Sequence, residues 1–224
     1  MSGRENILGK VRASLGAGAN EAARRAAVEE RLRTAAPGII PARGQLPPAE
    51  RVALFSQMAV NLAATVEHVK EAADVPKAVV DYLRGHNLPS SVRMGADPRL
   101  AAMPWSQQRA LDLRFGPSDG HDEAGVSHAT AGIAETGTLV MTSGPENPTT
   151  INFLPEHHIV VVDAADIAGD LETVLGRIRA KYGKGTMPRT VNLISGPSRS
   201  GDIEQKMILG AHGPRALHII VVGG

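Results

Sequence analysis

The chain has 224 residues, with 24 Lys and Arg against 23 Asp and Glu, and it has no cysteine. That length supports one α/β domain with a real core, or such a domain plus a helical appendage. Balanced charge and few aromatic residues argue against a nucleic-acid-binding face; the lack of thiols excludes disulfides, cysteine nucleophiles, cysteine-ligated zinc and any iron–sulphur cluster held by this chain's own thiolates.

The polar start Met1-Ser2-Gly3-Arg4-Glu5-Asn6 has no signal-peptide character, and no apolar run reaches the ~20 residues that span a bilayer. A cytoplasmic protein without a membrane span is expected. Residues 5–16 and 20–35 read as helices. The second, Glu21 to Arg33, is rich in strong helix formers but poor in large apolar side chains. It is expected to pack weakly on its own domain, which leaves packing against a second copy in a homo-oligomer open. Pro37, Pro41, Pro47 and Pro48, with Gly38 and Gly44 among them, mark a linker. The expected division is a helical arm with its linker over 1–48 and an α/β domain over 49–224.

From Pro48 the pattern alternates. A helix begins at Pro48 and carries Val52, Leu54, Phe55, Met58, Ala59 and Leu62 on one side, with the proline near its first turn. Thr65 to Val69 reads as a strand, Pro76 to Leu83 as a helix, and Ser91 to Met94 and Leu111 to Phe115 as strands. Asp97 to Trp105 is turn-rich. Gly137 to Met141 and His158 to Val162 are further strands. Ala164 to Tyr182 reads as a helix with Ile167, Leu171, Val174, Leu175 and Ile178 at helical spacing, and Leu217 to Val222 as a closing buried strand. Strands of Val, Ile and Leu alternating with helices predict an α/β fold, a mostly parallel sheet flanked by helices. Functional groups are expected at the carboxyl ends of its strands.

Two loops carry chemistry. Glu135 stands among small and apolar residues just before a buried strand. Such a carboxylate either braces a loop or serves as a pocket base, nucleophile or ligand-orienting group, with Thr136 and Thr138 beside it to stabilise the anion. The second loop, Ser195-Gly196-Pro197-Ser198-Arg199-Ser200-Gly201, follows the strand Val191 to Ile194 and precedes a helical pattern from Asp202 to Gly210. Backbone N–H groups at Gly196 and Asp202, the hydroxyls of Ser195, Ser198 and Ser200, and the Arg199 guanidinium could together hold an anion. Asp202 and Glu204 in that first turn would oppose one unless turned away, so a plain structural cap is the competing reading. Neither a Walker nor a G-x-G-x-x-G motif is present. Histidines recur near turns at 121, 128, 157, 158 and 212 without recognised zinc spacing, so no metal site is assigned. His212 lies beside the second loop as a proton carrier or as a turn residue bonded to the backbone.

G-I-A-E-T-G-T-L-V-M at 132–141, F-L-P-E-H-H-I-V-V-V at 153–162, S-G-P-S-R-S-G-D-I-E at 195–204 and G-A-H-G-P at 210–214 together resemble the LUD domain family, in its lactate utilization protein C branch. Where relatives often have Thr-Ala after the loop arginine, this chain has Ser200-Gly201. The resemblance implies a fold similar to the sugar-phosphate isomerase and CoA-transferase-like proteins. It also implies a part in oxidising L-lactate to pyruvate beside two iron–sulphur proteins, with the clusters on those partners and no cofactor on this chain.

Three functions are carried forward. The first is a non-redox subunit holding a small carboxylate or nucleotide-like ligand between the Glu135 and Ser195–Asp202 loops, with Glu135 or His212 handling a proton. The second is an acyl-transfer or isomerase-type enzyme using Glu135. The third is a structural or regulatory subunit whose loops form an interface.

Overall fold

Ser2 opens the first helix with a reciprocal cap: its hydroxyl accepts from the Glu5 N–H at 3.3 Å and its own N–H donates to the Glu5 carboxylate at 2.7 Å. The computed structural model describes residues 2–16, 21–203 and 206–223, and the side chains of all these but 201–203 and 206–208. It divides into two units, Met1–Ile39 and Ile40–Gly224. The first holds α1 (Gly3–Ser14) and α2 (Glu21–Thr34), neither of which buries a side chain, as expected for the second, which is poor in large apolar residues. The second begins upstream of the boundary placed near Pro48. A Cβ on Gly44 would stand 2.0 Å from the Gly169 carbonyl oxygen, and Gln45 donates to Asp170 at 2.9 Å. Gly44 and Gln45 of the expected linker thus pack on the body of the second unit.

The second unit opens with α3 (Pro48–Asn61), where Pro48 sits in the first turn and Val52, Phe55 and Ala59 face inward. It continues with β1 (Thr65–Val69), α4 (Val75–Gly85), β2 (Ser91–Met94), the short α5 (Pro98–Ala101), β3 (Asp112–Phe115) and β4 (Ala124–His128). Next come β5 (Ala131–Ile133), β6 (Thr138–Thr142), α6 (Thr149–Phe153), β7 (His157–Asp163), β8 (Ile167–Ala168) and α7 (Leu171–Tyr182). The chain ends with β9 (Val191–Ile194), β10 (Arg199–Ile203), β11 (Lys206–Leu209) and β12 (Ala216–Val222).

Six strands form one parallel sheet in the order β1-β12-β7-β4-β2-β3. Residues of β7 and β12 are apolar in both phases of the pleat because both faces are covered. Ile159, Val161 and Ile220 pack under α4 with Val79 and Leu83, while Val160, Val162, Ile219 and Val221 pack with Phe55 and Ala59 of α3. The α/β class with a mostly parallel sheet, helix-flanked, is therefore the observed architecture. A second, mixed sheet of order β8-β5-β6-β9 packs beside it, and α7 covers it through Val174 and Ile178.

The sequence reading misassigned three segments. The expected helix over 202–210 is an antiparallel hairpin, β10 with β11, in which Arg199 pairs with Leu209 and Ser200 with Ile208. Its base is closed by Gly210 N–H donating to Ser198 C=O at 3.0 Å and Ser198 N–H donating to Pro214 C=O at 2.8 Å. Apolar residues at 203, 207 and 208 fit either period over so short a run, so the closure decides. Glu204 lies outside the described residues. The helix expected from Ala164 begins instead at Leu171, because Asp170 caps it by accepting from Thr173 N–H at 2.8 Å; Ile167 joins β8. Finally, β4 and β5 were not anticipated, since Gly, Ala and Ser dilute their apolar pattern. Among the described residues no helix is long and apolar enough to cross a membrane.

Candidate functional site

The Ser195-to-Arg199 segment leaves β9 and folds over the amino ends of β7 and β12, enclosing a cavity of about 290 Å³. This is the end opposite to the carboxyl edge expected for an α/β sheet. The second sheet causes the difference, because it delivers its loop to the amino side. Ser195, Gly196, Ser198, Arg199 and His212 all line the cavity, joined by Asn152, Phe153, His158, Leu193 and Leu217. Five of the anticipated residues therefore come together.

Gly196 holds φ at +84°, and a Cβ there would stand 2.4 Å from the Leu62 carbonyl oxygen at the end of α3. The Arg199 guanidinium donates to that same carbonyl through Nη2. A cation at a helix carboxyl terminus is favourable, and one bond leaves most of the five guanidinium donors for other partners. Ser198 Oγ accepts from His212 N–H at 3.4 Å, tying the two turns together. Ser195 Oγ is 2.7 Å from Thr138 Oγ1, which is 2.7 Å from Thr136 Oγ1. A ladder of hydroxyls thus runs from the Glu135 loop to the cavity wall.

Glu135 itself does not reach the cavity. Its Oε1 accepts from Leu171 N–H at 3.1 Å, in the first turn of α7, and its Oε2 is buried without a partner. Ser200 stands in β10 and does not line the cavity. The Asp202 side chain lies outside the described residues, although its backbone belongs to β10.

The cavity floor contains a polar group that sequence reasoning did not assign to the site. Asn152 and His158 are each 1% exposed. Gly125 on β4 makes room for them: a Cβ there would meet Ile151 Cγ2 at 2.8 Å, so only glycine lets α6 settle onto the sheet. Ser127 Oγ, on the same face of β4, donates to Asn152 Oδ1 at 3.1 Å and lies 3.1 Å from His158 Nε2. His158 Nδ1 and Asn152 Nδ2 are buried with no hydrogen-bond partner. Burial pushes the imidazole pKa down to about 3, so it is neutral at ordinary pH. The only sequence signal was the Asn152 and His158 positions flanking Pro155-Glu156, which carries no recognised spacing.

Comparison with known proteins places this site within a family. Residues 120–222 match the LUD domain. An uncharacterized protein of Neisseria meningitidis is 39% identical over 45% of this chain and 42% of its own length. Lactate utilization protein C of Geobacillus thermodenitrificans is 35% identical over 44% of this chain and 41% of its own length, and that of Halalkalibacterium halodurans is 34% identical over 44% of each. These alignments span less than half the length of the relatives. An uncharacterized Escherichia coli protein is 27% identical over 79% of this chain and 82% of its own. The crystal structure of a DUF162 family protein from Deinococcus radiodurans shares the fold, with a TM-score of 0.58 at 21% identity over 80% of this chain and 99% of that one.

The LUD domain contributes every polar residue named above, from Ser127 to His212; the Leu62 carbonyl comes from outside it. At the opposite, carboxyl edge of the sheet a second cleft of about 420 Å³ is lined by Asp97, Arg99, Asp166, Arg177 and Lys181 among others. Its charges largely satisfy one another. Arg99 grips Asp97 at 3.0 and 3.2 Å and reaches Asp166 at 3.5 Å, and Arg177 donates to the Asp166 carbonyl at 3.0 Å. Among the described residues no cluster of three or more His, Asp or Glu side chains could hold a metal ion.

Proposed function

We propose that this chain is a subunit without a redox centre of its own in an L-lactate-oxidising system, and that it holds a small carboxylate in the cavity beneath the Ser195–Arg199 segment. The charge of that cavity carries the reading. Among the described residues, Arg199 is its one permanently charged lining residue and no Asp or Glu lines it. A half-open site with a cation and hydroxyls is complementary to a monoanion. At about 290 Å³ it favours a small carboxylate over a nucleotide.

In this reading the free donors of Arg199 orient the carboxylate, and Ser195, fixed through Thr138, and Ser198 supply neutral hydrogen bonds. His212, on the open side, carries a proton between ligand and solvent. Oxidation of lactate to pyruvate releases two electrons and two protons. The sequence has no cysteine to hold a cluster, so the electrons go to two iron–sulphur partner proteins. The names of the relatives support the lactate assignment.

Isothermal titration of the full chain with L-lactate tests it. Saturable one-site binding is expected, weakened at least about tenfold by Arg199→Ala, as for loss of a charge-assisted hydrogen bond. No saturation, or an Arg199→Ala variant binding as tightly as wild type, contradicts it.

A further inference from the structure

A further cavity, of about 730 Å³, lies at the carboxyl ends of β1, β12 and β7, which are neighbours in the parallel sheet. Pro48, Arg51, Val52 and Ala53 from the start of α3, His68 of β1 and Ala164 just past β7 line it, among others. That edge of an open parallel sheet is where ligands ordinarily bind. The lactate-sized cavity sits at the amino ends of β7 and β12. Those strands are seven residues long, about 20 Å, so the two cavities are separate sites.

Small apolar side chains dominate the lining, and among the described residues Arg51 is its one permanently charged group. Only Arg51 and Arg93 are half-buried among the described arginines. Arg93 is held by Asp122 at 2.9 Å. Arg51 has neither an acid nor a hydrogen-bond acceptor for its guanidinium among the described residues, and its Nε is buried without a partner. A guanidinium cannot shed its charge to suit such surroundings, and a partly desolvated charge is stabilised by a counter-charge. The start of α3 adds positive potential on the same wall, because Pro47 at its N-cap makes no side-chain bond to the first N–H groups. Glu50, in the same turn, is exposed and does not line the cavity. His68 is tied to the next turn of the helix, with Nε2 3.1 Å from Ser56 Oγ.

We propose that this cavity binds an amphipathic carboxylate, its head at Arg51 and its apolar body along Val52, Ala53 and Ala164. The volume falls in the range that encloses drug-sized ligands and exceeds what a lactate-sized ion fills. The two sites also differ in chemistry. Hydroxyls surround the cation at the amino ends of the strands, whereas alkyl groups surround Arg51, so only an anion with an apolar body satisfies both the charge and the walls here.

Isothermal titration of the full chain with octanoate, 1-octanol and acetate separates head from body. Octanoate is expected to saturate one site. It is expected to bind at least about tenfold more tightly than 1-octanol, which lacks the charge-assisted hydrogen bond, and than acetate, which lacks the chain. Arg51→Met keeps most of the side chain's bulk and is expected to lower octanoate affinity to that of 1-octanol. Arg199→Ala is expected to leave octanoate affinity unchanged. Absence of saturation overturns the proposal, as does 1-octanol or acetate binding as tightly as octanoate. An Arg51→Met chain that binds octanoate like the wild type overturns it too, and so does weakening by Arg199→Ala, which would put the anion in the other cavity. Should Arg51→Met not fold, the wild-type affinity ratios and Arg199→Ala decide.

Discussion

Ser127, Asn152 and His158 come from β4, α6 and β7, and each is at most 3% exposed. Their arrangement is affordable only because the three share hydrogen bonds, and two atoms still go without. Glu135 is the contrasting residue. Its carboxylate binds the first turn of α7, where a negative charge complements the helix dipole. Glu135→Gln should therefore lower stability by about 1 kcal/mol in urea denaturation and leave carboxylate affinity unchanged. Loss of affinity at unchanged stability would return Glu135 to the ligand site. At 5% exposure and outside the cavity, it is also closed to acyl transfer, so incubation with an acyl-CoA should leave no adduct at this position by mass spectrometry.

At the scale of elements, the site depends on a loop pressed against the end of α3. Gly196 is left-handed there and faces the Leu62 carbonyl. Gly196→Ala should cost about 2 kcal/mol or more, combining left-handed strain with a backbone clash, and should displace Arg199 and weaken carboxylate binding. Gly176→Ala on exposed α7 meets nothing within 4 Å and should instead stabilise by about 0.5–1 kcal/mol. Urea midpoints of the two variants check both signs. The loop was legible in sequence because glycine, proline and serine interrupt a β-rich run, and five of its neighbourhood's residues do meet in one cavity. The hairpin after it was not, because its apolar spacing fits both periods and the closing bonds from Ser198 to Gly210 and Pro214 are set by tertiary structure. His158 and Asn152 were invisible as a pair because their link, Ser127, lies in a strand whose Ala and Gly hid it. The α/β class itself was plain from β7 and β12, whose unbroken apolar runs only a sheet covered on both faces explains.

Across the whole molecule, burial of neutral histidines couples folding to pH. Burial holds His158 at about 3, and burial, followed by the charge of His86, holds His218 at about 4. Unfolded histidines titrate near ~6.5. The unfolded chain therefore takes up protons below that pH which the folded chain refuses until about 3 to 4. Stability is full above ~6.5 and falls as pH drops, with a loss on the order of a few kcal/mol between pH 7 and 5. Urea denaturation followed by the fluorescence of Trp105 measures it, and a flat profile over that interval would contradict the burial of these rings. The lowered pKa values of Asp97, Asp122 and Asp170, each held down by hydrogen bonds against the opposing cost of burial, add a further loss only in more acid solution.

The proposed role of the cavity in lactate oxidation by partner proteins is tested most directly by one assay. Lactate-dependent dye reduction by the two iron–sulphur proteins should be measured alone, with this chain, and with its Arg199→Ala variant. Reduction is expected to require the wild-type chain, and a folded, partner-bound Arg199→Ala chain is expected to restore at most about a tenth of the rate at subsaturating lactate. Equal rates with and without the chain would contradict it.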